Sequence, residues 1–359
     1  MNMDPEIALE LVKHGATILL LDVPQNTFMG IDTQAFSVGP IFKGIKMIPP
    51  GPHFLYYNSS CKSGVDFAPV TGFFVHAGAS EIIVRQWDSS EERLVKVDEE
   101  EEERYRHAVR TFEFDRHLGP YNLSQHKQWN LMSSYVTKEL IERIEPAGGD
   151  ITVAVEADGV GKRVCNYAII PRVIKNKDAK FEELTSMNID KTKLLETILS
   201  KDFNSSEDLL VGELQFAFIT FLMGHSLEGF LHWKSLVTLF LGCTQAPFET
   251  RTQLFTKFIQ AMYFQLKFSL QRESDSSGLF EELWLSNDSV LCNLFKEFIL
   301  MVEESSVVDG DLLSWTRKLR SLLEKCFGWK FDHSFFEDDE VSLVVLDELF
   351  LLFHMRCGL

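Results

Sequence analysis

Residues Phe42 to Phe54 read Phe-Lys-Gly-Ile-Lys-Met-Ile-Pro-Pro-Gly-Pro-His-Phe, and they decide the fold of the first half of the chain. Phe42, Ile45 and Met47 are separated by polar or small residues, the period-two pattern of a half-buried strand. Pro49-Pro50-Gly51-Pro52 then forbids helix and interrupts ladder pairing. Three of those four residues lack a backbone N–H, and Gly51 tolerates positive φ. His53-Phe54-Leu55-Tyr56-Tyr57 resumes as an aromatic strand. The stretch predicts a strand, a stiff corner and a second strand. It contains no nucleophile, phosphate cradle or metal box, so it reads as scaffold.

Outward from this corner the same texture continues. Met1 to Gly15 reads as a short helix ending at a glycine cap. Ala16 to Val23 is an apolar run that suits a buried strand, and Phe28 to Val38 holds a Gly-Ile-Asp turn followed by alternation. Thr71–Val75 and Glu81–Trp87 are further strands, the latter setting Ile82, Val84 and Gln86 against Ile83, Arg85 and Trp87. Short strands punctuated by glycine and proline predict an antiparallel sheet or sandwich. Asp98 to Glu103 is six consecutive acids running into Arg104, Arg106 and Arg110. It reads as an acidic patch for a basic partner or as a solvated helix start, with the charge order that the macrodipole favours. Val109, Phe112, Leu118, Trp129, Met132, Val136, Leu140 and Ile144 suggest helices packed on the sheet, interrupted at Gly119-Pro120. Beyond the break at Pro146–Gly149, Ile151–Ala157 and Arg163–Ile170 are strand-like. Pro171 to Thr185 is charged and weakly patterned, as a connection would be.

From Asp190 the period changes to helical. Leu194, Leu195, Ile198 and Leu199 mark one helix. Ser205-x-x-Asp208 looks like a capping signal for a helix over Leu209–Met223, which is apolar nearly all round and therefore central. Leu227–Leu241 returns as its partner, and further helices are expected at Phe248–Leu270, Phe280–Leu285, Val290–Val302 and Leu312–Phe327. No fixed-period motif recurs, which favours a compact all-α domain over a solenoid. After Trp329, Glu337-Asp338-Asp339-Glu340 precedes Val341-Ser342-Leu343-Val344-Val345-Leu346. That apolar string reads as an unpaired strand able to join a partner's sheet edge, or as a last internal element. The expected class is α+β, in four parts. Residues 1–170 form a mostly antiparallel, sandwich-like β domain with packed helices, and 171–189 a linker. Residues 190–331 form an all-α helical domain, and 332–359 an extended C-terminal tail.

Composition narrows the function classes. The 359 residues suit two domains, and 30 phenylalanines favour large buried aromatic contacts. A formal net charge of −18 opposes binding to phosphate backbones and suits solubility or contact with a basic protein. Six irregularly spaced cysteines include no CxxC pair, so no zinc site is expected; with no secretory signal, the thiols should be reduced in a cytoplasmic or nuclear compartment. The apolar segments Leu209–Met223 and Leu227–Cys243 carry charges and are short for membrane spans. No GxGxxG, Walker, HExxH or Gly-x-Ser-x-Gly pattern is present, so no cofactor is expected. An enzyme would have to draw an acid–base pair from His53 with Asp32, or from His232 with Glu228 at i, i+4 spacing. A lone His beside Trp233 is more often a packed core residue.

The Phe42–Phe54 stretch resembles a signature of the A1-alpha2-repressor splicing factors, the Aar-type family that assists assembly of the U5 small nuclear ribonucleoprotein. The likeness continues through Gly30-Ile31-Asp32, Val38-Gly39-Pro40, Gly72-Phe73-Phe74, Leu118-Gly119-Pro120-Tyr121, Gly212–Phe218 and His232-Trp233-Lys234. It thins between about Glu145 and Asp190 and after Phe331. The resemblance implies a non-catalytic assembly factor that clamps the RNase H-like and Jab1/MPN-like domains of the large U5 scaffold protein (pre-mRNA-processing factor eight). It implies that the tail, here Val341 to Leu346, bridges those domains by strand addition. Clamping would block premature RNA and helicase binding before tri-snRNP assembly. A scaffold for another complex and a hydrolase with an unrecognised site are the other readings of the residues.

Overall fold

The computed structural model describes residues 5–58, 70–146, 149–152, 165–171, 189–273 and 290–331. Among them, residues up to Asn166 together with Ile219–Phe230 form one compact unit, and Tyr167–Phe218 with Leu231 onward form a second. The first is β-rich and the second all helical, an α+β protein as the patterning predicts.

The first unit opens with α1 (Pro5–His14) and β1 (Ala16–Leu21), then β2 (Phe28–Ile31) and β3 (Gln34–Ser37), a hairpin turning at Asp32 in the left-handed region. There follow β4 (Gly44–Ile48), β5 (Gly51–Asn58), β6 (Val70–Ala77), β7 (Ile82–Asp88) and β8 (Arg93–Val95). After α2 (Glu99–Arg110) come β9 (Leu118–Pro120), α3 (His126–Ser133), α4 (Lys138–Ile144) and β10 (Ile151–Thr152). One sheet runs β8-β7-β1-β4-β9 and the other β10-β6-β5-β2-β3. The second is antiparallel throughout; the first is mixed, since β1 runs parallel to β7 and β4 to β9.

Pro49-Pro50 is the corner at which the chain leaves the first sheet and enters the second, so the stiff dipeptide does join two strands. The second strand begins earlier than proline content alone suggests. Gly51 and Pro52 already pair with Ala77 and His76, Gly51 with φ of 133°. The expected alternation of Ile45 with Met47 fails. β1 pairs Ala16 with Ile48 but Ile18 with Ile45, so β4 carries one extra residue, and Met47 sits in the left-handed region at φ 61°. This β-bulge turns Ile45 and Ile48 into the same core and leaves Met47 half-buried.

The core between the sheets gathers Ile18, Leu20, Ile31, Leu55, Tyr57 and Trp87 among others. The opposite face of the first sheet carries Leu19, Leu21, Ile82 and Val84 under Tyr105 and Val109 of α2. Both faces of β1 are therefore covered, which is why its sequence is an unbroken apolar run. α2 has no buried residue; Asp98 caps it by accepting from the Glu101 N–H. Its arginines are consumed by its own acids, Arg104 on Glu101, Arg106 on Glu102 and Arg110 on Glu103. The six-acid run thus opens a solvated helix, with Glu99 and Glu100 left without an ion pair among the described residues.

Two expectations need correction, and a third is refined. Phe112 is not a packing residue: the helix has ended at Arg110, and Phe112 is 74% exposed with φ of 63°. Gly119-Pro120 does separate the helices, and the break itself is a strand, β9, beside Ile45 and Lys46. Residues 165–170 form no strand: side-chain carboxylates take two of their backbone donors, and the Asn166 N–H donates to the Ile144 carbonyl. The Cys165 N–H donates to Glu228 at 3.0 Å and the Ala168 N–H to Glu213 at 2.8 Å.

The second unit comprises α5 (Thr192–Asp202), parts of α6 (Glu207–Gly224) and α7 (Leu227–Leu241), α8 (Ala246–Glu249), α9 (Thr252–Glu273), α10 (Val290–Glu304) and α11 (Gly310–Phe327). Residues 210 to 220 of α6 are buried all round, as a central helix requires. The hydroxyl that opens this helix is Ser206, accepting from Leu209 N–H, rather than Ser205, which is in the left-handed region. Phenylalanines build the core: Phe240 stacks on Phe258 at 4.3 Å, and Phe255 lies between Phe240 and Phe298. Arg251 grips Glu196 with two nitrogens and Glu207 with a third, tying α5 and α6 to the start of α9.

Candidate functional site

Both acid–base pairs suggested by the sequence are decided by their hydrogen bonds. Asp32 and His53 meet in the first unit, Nδ1 lying 2.7 Å from Oδ2, with side-chain exposures of 1% and 0%. The other ring nitrogen lies 2.7 Å from the Pro49 carbonyl. The Pro49 carbonyl can only accept, so Nε2 donates to it, and the Asp32 carboxyl group engages Nδ1, leaving both ring nitrogens occupied. Burial draws the His53 pKa down, but the Asp32 charge and the bonds to Asp32 and Pro49 outweigh it, and the net direction is upward. No lone pair remains for a substrate. This ring cannot serve as a general base.

Asp32 is satisfied by two further donors, the Phe54 N–H at 2.9 Å on Oδ1 and the Tyr121 hydroxyl at 2.6 Å on Oδ2. Burial, then the Asp32 charge, holds the Tyr121 phenol protonated by raising its pKa. His126 stacks 6.4 Å from His53 and is pushed toward neutrality, by burial first and then by the His53 charge. Trp129 of α3 donates to the Pro52 carbonyl at 2.8 Å. The β2–β3 turn, the proline corner and the end of β9 are thereby locked to one carboxylate, and α3 is tied to the same corner through Pro52.

The second pairing differs from the one expected. The carboxylate on the His232 ring belongs to Glu213 of α6, 2.7 Å from Nε2, and not to the residue one helical turn earlier. Glu213 also accepts from Ala168 N–H, and the Tyr167 ring stacks on His232 at 4.3 Å and 14°. The adjacent Trp233 donates to Gln265 at 2.9 Å. This node fastens residues 167–168 to α6 and α7 and is packed rather than open: Glu213 is fully buried and His232 nearly so.

Tyr121 and Glu213 were not singled out by spacing, since each lies far along the chain from its partner. One signal was present. Gly30-Ile31-Asp32, the proline corner with His53, and Leu118–Tyr121 are separate marker strings that converge on the first node. Gly212–Phe218 and His232-Trp233-Lys234 converge on the second. The marker strings are fold determinants whose polar members meet inside. Among the described residues no group of three or more His, Cys, Asp or Glu could hold a metal ion, and no helix is long and apolar enough to cross a membrane. The candidate strand-adding residues Val341 to Leu346 lie outside the described residues.

Comparison with known proteins finds two adjacent family matches. Residues 14–146 match the model for the AAR2 N-terminal domain, and residues 167–332 that for the AAR2 C-terminal repeat region. That description of a repeat region stands beside a sequence in which no fixed-period motif recurs. The chain is 30% identical to Protein AAR2 homolog from Homo sapiens, with 92% of this chain and 94% of that protein covered, and to the same extent to that from Macaca fascicularis. The Caenorhabditis elegans homolog is 26% identical, with 92% and 98% covered. None of these names indicates an enzymatic class. The chain belongs to the AAR2 family.

Proposed function

We propose that this protein is a non-catalytic assembly factor of the U5 small nuclear ribonucleoprotein. Membership of the AAR2 family along nearly the whole chain supports a splicing-related assembly role and is the observation that carries the reading. The two candidate acid–base pairs add to it, because their donors and acceptors are spent on the fold. An overall charge of −18 argues against gripping RNA and suits the shielding of a basic protein surface. The partner is the large U5 scaffold protein (pre-mRNA-processing factor eight), held through its RNase H-like and Jab1/MPN-like domains. Val341 to Leu346 adds a strand to that partner's sheet, and the clamp excludes RNA and helicase until tri-snRNP assembly. The protein works in the cytoplasm and nucleus.

The test is a calorimetric titration and pull-down against the two partner domains, with full-length chain and with chain truncated after Asp332. Tight binding that weakens on truncation is expected. Binding indifferent to truncation removes the tail from the clamp, and absence of binding by either form overturns the proposed partner.

A further inference from the structure

α11 is a basic helix on an acidic protein. It carries Arg317, Lys318, Arg320 and Lys325 against Asp311 and Glu324. Arg320 is engaged by Glu303 and Glu324. Among the described residues, Arg317, Lys318 and Lys325 have no carboxylate partner, nor has Lys267 on α9, although acids outnumber bases 53 to 35 in the chain. Lys318 lies 3.9 Å over the Trp315 ring and Lys267 lies 5.8 Å over Tyr263, whose ring meets Trp315 edge-on at 5.8 Å. Phe264 completes the group. These aromatic residues are half-buried and both lysines are exposed. The result is a rigid aromatic shelf edged by unpaired cations.

The chain itself brings the complementary charge near. Gly328 closes α11 in the left-handed conformation at φ 64° and turns the backbone. Trp329 and Phe331 are then buried, and Arg320 sits 5.0 Å over the Phe331 ring. The described chain therefore ends beside the middle of α11. Glu337-Asp338-Asp339-Glu340 follow six to nine residues later. An extended chain covers about 3.3 Å per residue, so that tether spans roughly 20 to 30 Å. α11 as a whole is about 27 Å long at 1.5 Å per residue, and Lys318 lies about 3 Å along the axis from Arg320 and about 200° around it, a path of roughly 20 Å over the helix surface that the tether spans. A tether this short holds the quartet at an effective concentration in the millimolar range.

We propose that the acidic quartet Glu337–Glu340 docks on the chain's own Lys267–Lys318 aromatic shelf. Four carboxylates meet four otherwise unpaired cations, and the contact holds the following segment, Val341 to Leu346, on its own protein. The inference does not depend on the identity of any partner and is tested without one.

Carbodiimide cross-linking of the full-length chain, read by mass spectrometry, gives the answer. Cross-links from residues 337–340 are expected at Lys267 and Lys318 in yields about tenfold above those at the exposed lysines Lys127 and Lys201. Raising salt from about 50 to about 500 mM should reduce them several-fold. Lys325 lies seven residues beyond Lys318, on the same face of the helix. Its cross-links should survive K267R/K318R, which keeps both charges, and be lost in K267Q/K318Q. Comparable yields at Lys127 and Lys201 overturn the proposal. Cross-links that join isotopically distinct chains in a mixed sample overturn it too, by making a second copy the occupant.

Discussion

Asp32 holds one carboxylate against three donors in a site from which water is excluded, so its charge cannot be removed without stranding the others. Breaking a buried pair by neutralising one member costs about 3 to 5 kcal/mol, whereas losing one hydrogen bond to a charged group costs about 1.5 to 3 kcal/mol. Asp32→Asn should therefore lower stability more than Tyr121→Phe, in denaturation followed by a probe of the first unit. Equal effects would mean that the His53 charge is not held by Asp32. A pH effect follows from Glu145. Burial raises its pKa to about 7 from an ordinary 4.5. Its folded value exceeds the unfolded one, so the associated stability is fully present below pH 4.5 and is lost as pH rises through 7. Glu145→Gln should accordingly gain about 1 kcal/mol over the parent at pH 8, after allowance for solvent screening, and nothing at pH 4. A gain of the same size at both pH values would assign the effect to packing. The sequence showed His53 with Asp32 as a pair but could not show the Pro49 carbonyl that closes the ring's second nitrogen, nor Tyr121, 89 residues from Asp32. The i, i+4 rule offered Glu228 to His232, yet α6 supplies Glu213 from 19 residues away. Contacts of that range follow from tertiary packing, which local spacing does not encode.

At the scale of elements, β4 shows where pattern reading stops. Its existence and the corner after it were legible from proline chemistry. Its bulge was not, because Met47 in the left-handed region is a cost accepted to bring Ile45 and Ile48 to one face. β9 was hidden by its own Gly-Pro, since proline suits a sheet edge and β9 is an edge. Arg163–Ile170 had a strand's pattern, but carboxylates from α6 and α7 take two of its backbone donors. Gly44 gives a test of this strand. It has φ of 145°, and a Cβ there would lie 2.1 Å from the Ile18 carbonyl oxygen of β1. No rotamer relieves a clash with backbone, so Gly44→Ala should cost about 3 kcal/mol or more through separation of β4 from β1. Gly39→Ala meets nothing within 4 Å and should change stability by less than about 0.5 kcal/mol. Thermal unfolding of the two variants side by side measures the difference. Similar losses would show that the β1–β4 contact is looser than its register implies.

At the scale of the whole molecule, composition was the most transparent guide. Most of the described phenylalanines are core, with Phe54, Phe216, Phe218, Phe240, Phe255 and Phe258 fully buried, Phe28 and Phe112 being exposed. The order of β-rich and helical parts was plain from the change of period near Asp190. Less plain was the interleaving of the units, since Ile219–Phe230 lies in the helical half of the sequence but groups with the first unit. Gly224 explains it: a Cβ there would lie 3.2 Å from the Phe54 ring, a contact between residues 170 positions apart. The net charge of −18 carries the last prediction. The acids of α2 are partly spent on its arginines, but Glu99 and Glu100 have no ion pair among the described residues. Exposed charges of this kind stabilise the fold little, yet they steer encounter. If the proposed partner presents basic RNA-binding surface, the association rate should fall about tenfold or more between roughly 50 and 500 mM salt, while the dissociation rate changes far less. Glu99→Gln with Glu100→Gln should lower the rate at low salt, reduce its salt dependence and leave unfolding unchanged. Stopped-flow mixing of the full-length chain with the partner domains reads both rates. An association rate indifferent to salt would mean that the complex forms through apolar docking alone, and that the acidity of the chain serves only its solubility.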